Sequence, residues 1–119
     1  MAFRIGLDFD DTCVRGAYPA IGDDVPFCVY VLKRLSARNE LILYTARTGK
    51  QLDDARQWFD ARGINITLGS QKPNLDLFID DRSLLGLPMV GGDPDWKRIE
   101  SAVEMRRAAW MYPDLMRGV

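Results

Sequence analysis

The feature that most constrains this chain is a short, unbroken apolar run, Leu41-Ile42-Leu43-Tyr44, lying between two stretches of helical periodicity. A run too short for a helix and apolar on both sides reads as a buried strand of a parallel sheet. Before it, residues 26–38 carry Val29, Leu32 and Leu35 at helical spacing, with Pro26 suited to the first turn and Asp24 placed to cap it. After it, residues 50–62 put Leu52, Ala55 and Phe59 on one side of a second helix, which Gly63 ends. Residues 3–9 alternate as a first strand, residues 64–68 as a third, and residues 75–79 form a fourth, with a short fifth near residues 87–90. Residues 13–23, rich in Gly, Ala, Pro and Asp, read as a loop. A last helix over residues 95–111 has Trp96, Ile99, Val103 and Trp110 broadly on one face, with Asp95 and Trp96 capping and anchoring it.

Strands that alternate with helices imply right-handed crossovers and a mostly parallel sheet of four to five strands, covered on both sides as a three-layer α/β/α domain. The 119 residues are the size of one domain and contain no repeat, low-complexity tract or linker. Open sheets of this kind bind ligands beyond the carboxyl ends of their strands. Asp8-Phe9-Asp10-Asp11-Thr12 follows the first strand and Thr45-Ala46-Arg47-Thr48 the second; Lys72 precedes the fourth strand, and Asp80 and Asp81 end it. The charged and polar groups thus collect where this architecture puts a site.

Composition narrows the chemistry. The chain has no histidine, which removes Ser-His-Asp and Cys-His nucleophiles, phosphohistidine, and histidine-ligated zinc or iron. Asp8, Asp10, Asp11, Asp80 and Asp81 would bring up to five carboxylates to one sheet edge, an arrangement that a hard divalent cation relieves, Mg²⁺ being its commonest form. A net charge of −1 does not favour electrostatic binding to nucleic acid or an anionic membrane. No basic-then-apolar leader and no run of ~18 apolar residues is present, so neither a signal peptide nor a membrane span is expected. Cys13 and Cys28 form no metal-binding pattern and read as two free thiols of a cytoplasmic protein.

These residues resemble the motifs of the haloacid dehalogenase (HAD) superfamily: Asp8-Phe9-Asp10-Asp11-Thr12 its first, Leu41 to Thr45 its second, Lys72 its third and Ile79-Asp80-Asp81 its fourth. The resemblance implies a Rossmann-like, HAD-like fold and a Mg²⁺-dependent phosphatase that works through an aspartyl-phosphate. In it Asp8 is the nucleophile, and Asp10 protonates the leaving oxygen and then activates water, for which it needs a raised pKa. Asp8, the main-chain carbonyl of Asp10, and Asp80 hold the metal, with Asp81 as a ligand or orienting a metal-bound water. Thr45 donates to the transferring phosphoryl group, Lys72 neutralises charge, and Thr12, placed with Arg47 on the substrate-binding side, steadies the loop through its hydroxyl. The second aspartate, Asp10, argues for phosphoryl transfer over carbon–halogen cleavage.

Lys72 stands only eight residues before Asp80 and is followed by Pro73, which leaves no room for the helix that separates these motifs in many relatives. Neither gap between the motifs can hold a cap domain, so the site is expected to be open and suited to a large substrate or a nucleic-acid end. Arg47 could contact a substrate phosphate or form a surface ion pair, and Cys13 either lines the site or packs. The apolar tail with Trp110, Met111, Tyr112, Leu115 and Met116 is expected to pack on the body or make a homodimer contact. Two alternatives stay open: a catalytically silent HAD-like binding domain, and a receiver-like phospho-acceptor, although strand three ends in Leu68-Gly69-Ser70 with no aspartate there.

Overall fold

The computed structural model describes residues 2–69, 74–83 and 86–116. It is a mostly parallel α/β fold, with no cap among the described residues. Strands β1 (Arg4–Leu7), β2 (Glu40–Leu43), β3 (Thr67–Leu68) and β4 (Leu77–Ile79) form one sheet in the order β3-β2-β1-β4. Helix α1 (Cys28–Arg38) links β1 to β2, and α2 (Gly49–Ala61) links β2 to β3. After β4 come β5 (Met89–Val90), β6 (Asp93–Pro94), α3 (Trp96–Met111) and α4 (Pro113–Met116). No helix among the described residues is long and apolar enough to cross a membrane.

Strand parity decides where the core lies. Ile5, Leu7, Leu41, Leu43 and Ile79 point to one face and pack with Leu32, Leu35, Phe59, Ile99 and Val103 of the three long helices. On the other face, a Cβ at Gly6 would lie 2.4 Å from Leu75 Cδ1 and 2.5 Å from Phe78 Cδ2, and Phe78 meets Tyr44 edge-on at 5.7 Å. The mostly parallel four-stranded sheet with helices packed on it is the expected α/β architecture. Residues 69–76 between β3 and β4 are too few for a crossover helix.

Several expected boundaries move. The fifth strand does not join the sheet; β5 pairs antiparallel with β6, because Gly91 (φ 57) and Gly92 (φ 84) supply the left-handed turn that closes a two-residue hairpin. Helix α1 starts after Phe27, not at Pro26, and Asp24 does not cap it. The Asp24 carboxylate instead accepts from Trp58 Nε1 at 2.9 Å and from Arg62 at 3.0 and 3.1 Å, tying the chain before α1 to the end of α2. Strand three shrinks to its last two residues. Trp110 leaves the core face of α3 and meets Phe3 edge-on at 5.4 Å, while α4 packs against α3.

The segment read as a loop is more ordered than that. Arg15 N donates to Asp23 O at 2.8 Å and Val25 N to Cys13 O at 2.9 Å, so residues 13–25 fold back on themselves as a flap. Gly22 is required at its neck, since a Cβ there would lie 1.9 Å from Arg15 O. Trp96 anchors the flap's base to α3: it is buried, as expected, and its Nε1 donates to Thr12 O at 2.9 Å. Asp95 caps α3 by accepting from Arg98 N.

Trp96→Phe removes the donor and leaves a buried carbonyl unpaired. Urea unfolding is expected to show a loss of about 1–3 kcal/mol, and an unchanged midpoint would mean that this anchor does not stabilise the flap.

Candidate active site

The register of the parallel strands builds the site. Leu7 stands opposite both Leu43 and Ile79, so β1, β2 and β4 end at one level. Asp8 N donates to Ile79 O at 3.0 Å and Tyr44 N to Leu7 O at 2.8 Å, carrying that register one residue further. Asp8, Tyr44-Thr45 and Asp80 therefore leave the sheet side by side. A cavity of about 680 Å³ lies over these ends, lined by Asp8, Asp10, Thr45, Arg47, Asp80 and Asp81, with Tyr18 and Arg82 at its rim. A second cavity of about 650 Å³ adjoins it and shares Asp11, Gly16 and Asp81 as lining.

Of the five carboxylates expected together, three meet. Asp8, Asp80 and Asp81 each offer an oxygen within 4.8 Å of the others. Burial, a hydrogen bond with Asp81, and the charges of Asp80 and Asp81 push Asp8 from its ordinary 3.8 up to about 7, against a backbone hydrogen bond from Phe9 that pulls it down. Three hard oxygen donors that converge in this way fit a Mg²⁺-type ion, which takes carboxylate oxygens and keeps several waters. Asp80 is also fixed by accepting from Arg82 N at 3.0 Å. Asp11 is turned to the rim by a left-handed backbone (φ 62) and its carboxylate lies beside Gly16, where a Cβ would be 2.5 Å from Oδ1.

Asp10 has a different partner. Its carboxylate accepts from Arg47 Nε and Nη2 at 2.7 Å each, a two-point fork. Arg47 is only 2% exposed, and two more of its N–H groups go to Pro19 O at 3.1 Å and Ala20 O at 2.8 Å on the flap. Its guanidinium also lies 5.3 Å from the Phe9 ring and 5.1 Å from the Tyr18 ring. Arg47 is not a surface ion pair: it is buried, lines the cavity, and spends four of its five N–H groups on Asp10 and the flap. The sequence carried no signal for this contact, because it joins positions 37 residues apart and depends on how the flap folds.

Thr45 stands where expected; its Oγ1 accepts from Arg47 N at 3.2 Å and lines the cavity, leaving the hydroxyl proton free to donate. Thr12 does not. It is fully buried, its hydroxyl has no partner, and its backbone carbonyl does the anchoring, so it neither binds substrate nor steadies the loop through Oγ1. Lys72 lies outside the described residues. Cys13 and Cys28 are free and buried; Cys13 Sγ donates to Asp8 O at 3.5 Å, which makes it packing beneath Asp8, not a lining group. Tyr18 and Arg82 at the rim were not anticipated; an aromatic residue inside a Gly/Pro-rich loop beside an acidic motif was the available hint for Tyr18.

No protein-family model matches the chain, and no curated protein matches it. Among solved structures, a conserved protein from Bacteroides thetaiotaomicron is 36% identical, with 89% of this chain and 93% of that one covered and a TM-score of 0.77.

The sign of the pH dependence follows from Asp8. Folded at about 7 and ordinarily 3.8, this group gives the chelator-treated fold a stabilising contribution that is present at low pH and lost as pH rises through 7. The melting temperature in chelator is expected to be higher at about pH 5.5 than at about pH 8, with Mg²⁺ raising it most at the higher pH and Asp8→Asn removing the difference. Calorimetry checks this, and a Mg²⁺ effect independent of pH would count against a cation among these three acids.

Proposed function

We propose that the chain, which belongs to the same protein family as the conserved Bacteroides thetaiotaomicron protein, is a Mg²⁺-dependent phosphohydrolase of HAD type. One observation carries the reading: Asp8, Asp80 and Asp81 converge within 4.8 Å at the floor of an open cavity whose wall holds Asp10 and Thr45. Asp8, Asp80 and Asp81 would hold the cation, which supplies neutralisation between two anions that otherwise repel.

Each remaining step belongs to the chain's own side chains. Asp8 Oδ attacks phosphorus as the ester P–O bond breaks, and Asp10 gives the departing oxygen its proton. Water then attacks the same phosphorus, gives its proton to Asp10, and the bond between phosphorus and Asp8 breaks, returning both carboxylates to their starting forms. Thr45 Oγ1, already accepting from a backbone N–H, is free to donate to a phosphoryl oxygen. Lys72 keeps its proposed charge-neutralising role on motif order alone.

The absence of a cap among the described residues and the two adjoining cavities support a phosphomonoester with a large leaving group, a nucleic-acid end among them, and not a small enclosed ligand. The exposed Trp110, Met111 and Tyr112 support contact with a second copy through the C-terminal region. Two buried, unpaired thiols support work in the cytoplasm.

Turnover of p-nitrophenyl phosphate is expected to need Mg²⁺ and to fall at least ~10³-fold in Asp8→Asn, as when a covalent nucleophile is removed. Undiminished turnover in that variant would end the proposal. One phosphoryl group taken from acetyl phosphate and never released would mark a receiver-like acceptor instead.

A further inference from the structure

We infer that Arg47 is a positioning residue for Asp10: it orients the acid/base carboxylate and does not touch the substrate. The inference rests on the proposed hydrolytic role of Asp10 and deepens it.

A carboxylate on a two-carbon stem can swing through several rotamers, yet proton transfer to a leaving oxygen needs hydrogen-bond reach in a fixed direction. A single-point contact leaves the carboxylate plane free to rotate. The paired 2.7 Å contacts from Nε and Nη2 fix both its position and its plane. A fork can orient its partner only if it is itself immobile, and here four independent contacts hold it. Pro19 O and Ala20 O take two further N–H groups, and the Phe9 and Tyr18 rings each lie within 5.3 Å of the guanidinium. All four come from the first motif or the flap that follows it, so the flap's fold and the direction of Asp10 are coupled. Replacement by lysine would keep the charge but lose the two-point geometry.

A substrate-binding arginine, a structural arginine and a positioning arginine predict different kinetics. Loss of a phosphate contact raises KM on every substrate. Loss of structure lowers kcat on every substrate alike. Loss of orientation in a general acid is felt where the leaving group needs a proton, so alkyl phosphates suffer and p-nitrophenyl phosphate, whose phenolate leaves unaided, is spared.

The test compares wild type, Arg47→Met, Arg47→Lys and Asp10→Asn in full-length protein with Mg²⁺, on p-nitrophenyl phosphate and on an alkyl phosphate such as glycerol 2-phosphate. Arg47→Met is expected to lower kcat about 10²-fold or more on the alkyl ester and less than ~10-fold on the aryl ester, with KM within about twofold. Arg47→Lys, which keeps a buried charge and is the variant to read if the methionine protein does not fold, should show the same split more weakly. In the Asp10→Asn background either change should add nothing further. An equal loss on both esters, a rise in KM with kcat retained, or full additivity with Asp10→Asn would each overturn the inference. If wild type turns over neither ester, the hydrolytic reading fails first, and the two failures are distinct.

Discussion

The parallel register that sets Leu7 beside Leu43 and Ile79 brings three strand ends to one level, and the bond from Asp8 N to Ile79 O carries the alignment one residue past the strands. The rest of the candidate site depends on it. A slip by one residue would turn Ile5 and Leu7 away from the helices and move Asp8 away from Asp80. Burial of the strand residues on the helical face therefore fixes the position of charged residues that contribute nothing to the core. The hydrophobic pattern and the acidic cluster are linked through the backbone ladder.

Two aspartates of one motif meet opposite electrostatic surroundings. Asp8 faces Asp80 and Asp81 in a partly buried pocket, where like charges and desolvation favour its protonated form or a bound cation. Asp10, two residues on, is gripped by a buried guanidinium whose own charge is offset by carbonyls and aromatic faces. A buried arginine left alone would be expensive, so the flap and Asp10 satisfy one another and neither is stable in this form without the other.

The flap also explains why a capless sheet keeps a defined cavity wall. Its backbone pairing, the close approach at Gly22 and the Trp96 anchor hold Tyr18, Pro19 and Ala20 over Arg47. The same device leaves the mouth open toward the β5–β6 hairpin, where Arg15 pairs with Asp93 at 2.9 and 3.0 Å.

Periodicity and apolar runs were enough to read the α/β class, the parallel sheet, the three long helices and the placement of Asp8, Thr45, Asp80 and Asp81, because these follow from local alternation and from the rule that polar residues end buried strands. What sequence left undecided involved choices between partners far apart in the chain. Asp24 could cap α1 or bind Trp58 and Arg62; Thr12 could use its hydroxyl or its carbonyl; Arg47 could face solvent, substrate or Asp10. Each is locally permitted, and only tertiary packing, which decides what is desolvated and which polar groups must then pair, selects one. Residues 87–90 had strand character in sequence, but a glycine turn and a nearer partner made them a hairpin outside the sheet.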